Sequence, residues 1–239
     1  MKNSMCNEIL THLERGELQV TGRLIAASNA TLYASCTYQG KTIACIYKPV
    51  AGERPLWDFP DGTLAQREYA AFLLSHWMGE SIVPPTVLRD GPYGIGMVQE
   101  WIEIDPSIDL NEYFQRRDDS LRKLALFDAV INNTDRKIGH LIPTVNGNLF
   151  ACDHGVTFHE EDKLRTVLWQ WEAQPLSPAE KLWLGSLRDI VTSAIGIELR
   201  ELITEAEITR LIFRIDRLLD EASFPLPSQD WPPVPWPPF

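Results

Sequence analysis

Two aspartates and a histidine stand close together in the sequence, on either side of a sharp turn signal. Asp135 and His140 precede the pair Asn146-Gly147, and Asp153 follows it. Asn-Gly is the strongest short-range signal for a two-residue hairpin turn. With such a turn, His140 faces Asp153 across the hairpin with Cβ atoms about 5 Å apart. Carboxylates and imidazole bind divalent ions, so the spacing predicts a metal site at this end of the hairpin.

A helix precedes these residues and must position them. Five apolar residues before the acidic loop follow the spacing of one helix face, namely Leu121, Leu124, Phe127, Val130 and Ile131. The pattern stops at Asn132-Asn133, where we expect the helix to end. A helix, a polar loop and a hairpin are therefore predicted to hold Asp135, His140 and Asp153.

The order helix, D-R-x-x-x-[N/H], hairpin and D-x-G resembles the catalytic and metal-binding loops of the protein-kinase-like superfamily. The form NNTDRKIGH is most similar to the phosphatidylinositol 3- and 4-kinase-like family, including its bacterial members. The resemblance implies a kinase that uses ATP with Mg²⁺ or Mn²⁺, in which Asp135 orients the acceptor hydroxyl and His140 and Asp153 hold metal. Lys137, two residues after Asp135, would neutralise charge on the transferring group. The family usually has Asn at the position of His140, and imidazole suits manganese better than magnesium.

A lysine and a glutamate earlier in the chain match two further positions of this family. Lys48 ends a predicted strand in IACIYKP, and Glu68 lies in the first turns of the helix that contains REYAAFLL. The resemblance implies that Lys48 binds the α- and β-phosphates and pairs with Glu68. Taken singly, a surface lysine and a helix-surface glutamate would explain both residues. Their order relative to Asp135 and Asp153 favours the functional interpretation.

Two segments match the remaining nucleotide-binding positions. The turn Ala26-Ala27-Ser28-Asn29 is small, and the backbone N–H groups of Ser28 and Asn29 would approach a phosphate. It has no G-x-G-x-x-G sequence, so a plain hairpin turn is the alternative. Gln99 to Glu103 falls at the family's hinge, where backbone groups from Gln99 onward would bond to adenine. Trp101 would pack beside the adenine ring or, alternatively, into the core.

The resemblance spans roughly residues 18 to 172 and implies an α+β, two-lobed, protein-kinase-like fold. Residues 1–103 would form an N-lobe with a small antiparallel sheet and one helix, and residues 104–224 a mostly helical C-lobe. Beyond Phe158 we expect helices to about Ser223, with capping boxes at Ser177 and Thr204.

The proline-rich tail, residues 225–239, cannot continue a helix. It would be a ligand for a partner, a disordered end, or a strap that packs Trp231, Trp236 and Phe239 onto the domain. The aromatic content favours the strap, because three large aromatic side chains are costly to expose.

Composition excludes several classes of partner. With 22 basic and 33 acidic side chains, the net charge is −11, which argues against binding to nucleic acid or stably to an anionic membrane. The four cysteines have no C-x-x-C spacing and indicate reduced thiols. No signal peptide and no apolar run of about 18 residues is present, so we expect a soluble, cytoplasmic protein. The acceptor would then be a hydroxyl of a protein or of a small molecule.

Two other functions remain open from the sequence. A pseudokinase would bind nucleotide without transferring phosphate, and His140 in place of Asn is the feature that permits it. A metal-dependent hydrolase would use Asp135, His140, Asp153 and His154 as ligands. The hydrolase gives no role to Lys48 and Glu68 and therefore ranks last.

Overall fold

The computed structural model describes residues 2–24 and 29–239, and its N-terminal part is an antiparallel sheet of five strands. The strands are β1 (Glu17–Arg23), β2 (Leu32–Tyr38), β3 (Lys41–Pro49), β4 (Thr86–Gly91) and β5 (Gly94–Glu100). Their order in the sheet is β1-β2-β3-β5-β4, so that β3 lies at its centre. Alternating Val, Ile, Thr and Tyr residues favour these strands.

Two helices pack against this sheet. They are α1 (Lys2–Arg15) and α2 (Leu64–Trp77). A small apolar core between α1 and the sheet contains Leu13 and Tyr47, both fully buried. At the start of α2, the Glu53 carboxylate accepts hydrogen bonds from the backbone N–H groups of Leu64 (3.1 Å) and Ala65 (2.8 Å). An acidic cap of this kind is favoured by the helix dipole.

The C-terminal part is mostly helical and contains the larger apolar core. Its elements are α3 (Leu110–Tyr113), α4 (Asp119–Ile131), the short hairpin of β6 (Leu141–Pro143) and β7 (Leu149–Ala151), α5 (Pro178–Thr192) and α6 (Glu205–Glu221). The predicted end of α4 is confirmed, since Asn132 follows it in the left-handed conformation at φ 53°. Both predicted capping boxes, at Ser177 and Thr204, are also present. The α+β class, with a sheet-bearing N-terminal part and a mostly helical C-terminal part, is confirmed.

Residues 159–177 differ from the helices expected after Phe158. They are irregular apart from one 3₁₀ turn at Trp169–Trp171. Their hydrogen bonds explain the difference, because Arg136 forms a parallel β-bridge with Thr166, and the Asn132 side chain binds the backbone of residues 159, 161 and 163. Backbone groups that are already paired in this way are not available for helical bonds.

The register of the β6–β7 hairpin differs by one residue from the prediction. Leu141 pairs with Ala151, whereas a two-residue turn would have placed it opposite Cys152. Thr144 and Asn148 close a three-residue loop, in which the N–H of Gly147 donates to the carbonyl of Thr144 at 2.9 Å. Gly147 alone in this loop has a positive φ, of 75°, whereas a two-residue type I′ turn needs positive φ at both central residues. The predicted turn is therefore wrong.

Residues 225–239 run back over the C-terminal part. Trp231 is partly buried, in agreement with the predicted strap. Trp236 is 86% exposed and Phe239 59% exposed, so the expectation that all three aromatic side chains are buried is wrong. Backbone hydrogen bonds, rather than apolar burial alone, hold this segment in place.

A buried ion pair connects the two parts of the chain. Arg67 on α2 lies 2.6 Å from Glu207 at the start of α6, and both residues are less than 5% exposed. Arg67 also donates to the carbonyl of Thr157 at 2.8 Å. Burying two charges is costly unless both remain paired. This contact therefore fixes α2 against the C-terminal helices.

We expect the Arg67→Met substitution to lower the free energy of unfolding by about 3–5 kcal/mol, because it leaves the Glu207 carboxylate buried without its partner. Urea denaturation of the purified protein measures this change. Arg188→Met is the matched control, since the Arg188–Asp216 pair is exposed on both sides and should change stability by about 0–1 kcal/mol. Equal effects of the two substitutions would contradict the structural role of Arg67.

Candidate active site

A lysine held between two carboxylates forms the centre of the site. Lys48, at the end of the central strand β3, places its Nζ 2.6 Å from Glu68 Oε1 and 2.9 Å from Asp153 Oδ1. Glu68 comes from α2, and Asp153 follows β7 with a left-handed backbone at φ 62°. The sheet, the helix and the hairpin thus meet at one ammonium group. Three residues that the sequence analysis selected are brought into direct contact, while their chemical roles remain predictions.

Lys48 and Asp153 each stabilise the ionised form of the other. Burial alone would lower the pKa of Lys48, but the carboxylates of Asp153 and Glu68 raise it above its ordinary value. Lys48 in turn holds the pKa of Asp153 far below its ordinary value. Burial raises the pKa of Glu68, which Lys48 opposes, and the second Glu68 oxygen accepts the N–H of His154 at 2.9 Å. Lys48 and Asp153 are therefore ionised at neutral pH, and the side chain of Asp153 is half-exposed.

His140 reaches Asp153 despite the changed hairpin register. Its Nε2 lies 3.3 Å from Asp153 Oδ2, because a 3₁₀ turn at Ile138–His140 and the left-handed backbone of Asp153 turn the two side chains toward each other. Burial lowers the pKa of His140 to about 4, although Asp153 acts in the opposite direction. The ring is therefore neutral at neutral pH, which is the form that binds a metal.

The remaining carboxylate, Asp135, lies in the loop between α4 and β6. The side chain of Asn133 accepts the backbone N–H of Asp135 at 3.0 Å, which fixes the start of this loop. Lys137 Nζ lies 3.2 Å from the Asp135 carboxylate. Burial raises the pKa of Asp135, and the Lys137 ammonium opposes that rise. The predicted catalytic pair, Asp135 and Lys137, is thus a contacting ion pair in the structure.

A cavity of about 560 Å³ opens beside these groups and is lined by five of the ten predicted site residues. Asn29, Lys48, Glu68, Asp135 and Asp153 all line it. Its outer wall was not anticipated from the sequence. That wall includes Arg54, Trp57, Asp58, Lys163, Arg165 and Trp231.

Three predicted nucleotide-binding residues have other surroundings. Ser28 lies outside the described residues. Gln99 is not among the residues that line the cavity, and its buried side chain donates to Thr86 Oγ1 at 2.9 Å. Trp101 also lies away from the cavity and packs edge-on against Tyr33, with ring centroids 5.3 Å apart. The adenine contacts proposed for residues 99 and 101 stay predictions.

A buried arginine holds the site together, and the sequence analysis missed it. Arg136 is fully buried, and its guanidinium donates to both oxygens of Asp128 at 2.9 and 3.0 Å. It also donates to the carbonyl of Cys152 and to His154 Nε2, each at 2.7 Å. Arg136 therefore ties α4 to the residues on both sides of Asp153. One sequence signal existed, since Asp128 interrupts the apolar face of α4 and a buried charge there requires a partner.

The described residues contain no group of three or more His, Cys, Asp and Glu side chains placed to hold a metal. Of the four ligands that the hydrolase would use, Asp135, His140, Asp153 and His154, the last has its Nε2 bonded to Arg136. The pair His140 and Asp153 fits a different kind of metal site. His140 Nε2 and Asp153 Oδ2 lie 3.3 Å apart. This is close to the distance of about 3 Å between two neighbouring ligand atoms of an ion whose bonds are about 2.1 Å long. Magnesium usually takes only one or two protein ligands, and phosphates supply others.

None of the helices in the described ranges is long and apolar enough to cross a membrane. The four cysteines are free thiols, of which Cys36 and Cys45 are buried and Cys6 and Cys152 partly buried.

Comparison with known proteins shows a relative by sequence and a similar solved structure. No family model matches the chain. Among solved structures, the proinflammatory kinase CtkA of Helicobacter pylori is similar with a TM-score of 0.48 and 12% identity, covering 88% of this chain and 95% of that chain. Protein Rv2133c of Mycobacterium tuberculosis is 40% identical over an alignment of 262 positions, which covers 95% of this chain and 94% of the relative. The chain therefore belongs to the same family as Protein Rv2133c.

Proposed function

We propose that this protein is an ATP-dependent phosphotransferase of the phosphatidylinositol 3- and 4-kinase-like type, which transfers the γ-phosphoryl group to a hydroxyl of a protein or a small molecule. The contact of Lys48 with both Glu68 and Asp153 carries the proposal. In kinases, a lysine paired with a helix glutamate and lying beside a metal-binding aspartate is the arrangement that binds the nucleotide phosphates. The third carboxylate, Asp135, lines the same cavity.

Lys48 would bind the α- and β-phosphates, and Glu68 would orient it. Glu68 is almost completely buried and bonded to the N–H of His154, so its carboxylate is fixed before any ligand arrives. Such preorganisation removes the cost of ordering the lysine at the moment of binding.

Asp153 and His140 would hold the divalent ion, which supplies charge neutralisation between the β- and γ-phosphates. The half-exposed Asp153 carboxylate lines the cavity and is accessible to an ion that enters with the nucleotide. His140 would add a nitrogen ligand through Nε2. In the structure, His140 Nδ1 accepts the N–H of Lys137 at the long distance of 3.4 Å. That bond favours a proton on Nε2, so metal binding would require the proton to move to Nδ1.

Asp135 would orient the acceptor hydroxyl and accept its proton. Burial raises its pKa, which makes the carboxylate a better proton acceptor than an exposed aspartate. Lys137, in contact with Asp135, would neutralise charge on the transferring group. Both groups belong to a loop fixed by Asn133 and Arg136, so their positions do not depend on solvent-exposed contacts.

We expect Lys48→Ala to weaken ATP binding at least tenfold, or about 1.4 kcal/mol, because it removes the phosphate contact. The rise in melting temperature caused by ATP with a divalent ion, over a range of ATP concentrations, measures binding within each variant. Lys41→Ala is the matched control, since Lys41 is exposed at the other end of β3. An unchanged ATP-induced shift in Lys48→Ala would remove Lys48 from the nucleotide site.

We expect Asp135→Asn to reduce phosphoryl transfer by about 10²–10⁴-fold, because the amide cannot accept the hydroxyl proton. The ATP-induced melting shift should stay the same, because Asp135 does not hold the nucleotide. The assay incubates the protein with labelled ATP and magnesium or manganese and measures label in the protein, in free phosphate and in components of a cell lysate.

Asp90→Asn serves as the control for this substitution, because Asp90 is exposed in the β4–β5 hairpin. Loss of both binding and transfer in Asp135→Asn would contradict an acceptor-orienting role. If the unaltered protein binds ATP but no label leaves ATP, the pseudokinase is the correct interpretation.

We expect manganese to support transfer at least as well as magnesium, because the ligand pair includes an imidazole nitrogen. His140→Asn should shift this preference toward magnesium, since an amide oxygen replaces the nitrogen. Transfer rates over a range of each ion, for the unaltered and substituted proteins, give the comparison. An identical preference in both would mean that His140 serves only as a hydrogen-bond donor to Asp153.

A further inference from the structure

Within the proline-rich tail, residues 230–239 bind the chain segment that follows the predicted metal site. From here on, the strap means these ten residues. The carbonyl of Pro233 accepts the backbone N–H of Thr166 and the indole N–H of Trp169, both at 2.9 Å. The Arg165 guanidinium donates to the carbonyl of Pro232 at 3.1 Å. A proline-rich segment offers carbonyl acceptors but few N–H donors. The strap therefore pairs with donors of residues 165–169.

These residues are bound on their other side to the loop that carries Asp135. The N–H of Arg136 donates to the carbonyl of Arg165 at 3.0 Å, and the N–H of Val167 donates to the carbonyl of Arg136 at 3.2 Å. The N–H of Arg165 donates to the carbonyl of Asn133 at 2.9 Å. Residues 165–167 thus lie between the strap and the Asp135 loop and transmit the position of one to the other.

The C-terminal end of the strap contacts the Asp135 loop directly. The carbonyl of Pro238 accepts the N–H of Ile138 at 2.8 Å. Ile138 is buried and begins the 3₁₀ turn that ends at His140. Phe239 lies beside Gly139, where an added Cβ would be 3.6 Å from the Phe239 ring. Without Pro238, this N–H would lose the partner it has in the structure.

The N-terminal end of the strap packs at the mouth of the cavity. Trp231 stacks with Trp57 at a centroid distance of 6.5 Å, and the Lys163 ammonium lies 4.6 Å from the Trp231 ring and 4.8 Å from the Trp57 ring. Lys163 is buried and paired with Asp58 and Glu161. A buried ammonium over two indole rings stabilises their arrangement.

We propose that the strap is a positioning element of the phosphotransfer site: Trp231 anchors it, and the Pro238 carbonyl holds the turn that places His140 and the Asp135 loop. This inference rests on the proposed function. Loss of the strap would leave Lys48, Glu68 and Asp153 in contact, since none of their hydrogen bonds involves residues 230–239. It therefore affects the transfer step more than nucleotide binding.

The test uses the full chain, a chain ending at Trp236, and the variants Trp231→Ala and Trp236→Ala. The shortened chain lacks Pro237, Pro238 and Phe239. Trp236→Ala is the matched control, because it removes the same side chain from the same segment at an 86% exposed position. For each protein, NMR measures hydrogen exchange at the Ile138 amide, the labelled-ATP assay gives kcat, and the ATP-induced melting shift reports binding.

We expect the shortened chain and Trp231→Ala to exchange the Ile138 amide at least tenfold faster and to lose at least tenfold in kcat. The ATP-induced shift should be unchanged in the shortened chain, which keeps every residue that lines the cavity. Trp236→Ala should resemble the full chain in all three measurements. In the shortened chain, unchanged exchange at Ile138, or faster exchange with unchanged kcat, would overturn the role of the strap but not the proposed function. An absent ATP-induced shift in the full chain would overturn the proposed function and, with it, the role of the strap in transfer.

Discussion

The buried guanidinium of Arg136 is the constraint on which the arrangement of the site depends. A charge removed from water must have its donors paired within the protein, and breaking a buried ion pair typically costs about 3–5 kcal/mol. Arg136 meets this requirement with Asp128, the carbonyl of Cys152 and the ring of His154. These partners come from α4 and from the residues on both sides of Asp153. The pairing of Arg136 therefore sets the distance between the Asp135 loop and Asp153, which contacts Lys48.

Three residues around the site have a left-handed backbone conformation. Asn132, Asp153 and Phe158 all have positive φ values, of 53°, 62° and 65°. Asn and Asp tolerate the left-handed region, whereas for Phe it costs free energy and must be enforced by the surroundings. Phe158 is fully buried, and its N–H donates to the carbonyl of Ile131 at 2.6 Å. Tertiary contacts thus hold the chain after Asp153 in a path that local preferences disfavour.

Two kinds of sequence signal pointed to parts of the site: the spacing of apolar residues in a helix and the order of polar residues along the chain. The helix ending at Asn132 follows from apolar spacing, and the residues Lys48, Glu68, Asp135 and Asp153 follow from their order in a known pattern. The hairpin register did not follow, because Asn146-Gly147 suits both a two-residue and a three-residue loop, and only the backbone conformation of Asn146 distinguishes them. His140 nevertheless meets Asp153 through a 3₁₀ turn that has no sequence signature.

The outer wall of the cavity shows a second limit of sequence reasoning. Trp57, Lys163 and Trp231 are far apart in the chain, and each has an ordinary explanation when taken singly. Their association depends on the path of residues 159–177, which were expected to be helical but follow the side chain of Asn132 and the β-bridge to Arg136. Contacts that arise from two irregular segments carry no periodicity, so a pattern of apolar residues cannot reveal them.

The charges of the cavity bear on how a nucleotide would bind. Its lining includes the carboxylates of Glu53, Asp58, Glu68, Asp135 and Asp153 and the cations Lys48, Arg54, Lys163 and Arg165. Lys48 and Lys163 are each already paired with two carboxylates. The protein as a whole carries a net charge of −11, which adds repulsion toward a polyphosphate. The side chains alone therefore do not neutralise a triphosphate. Under the proposed function, a bound ATP would have to bring its own divalent cation, for which we propose Asp153 and His140 as ligands.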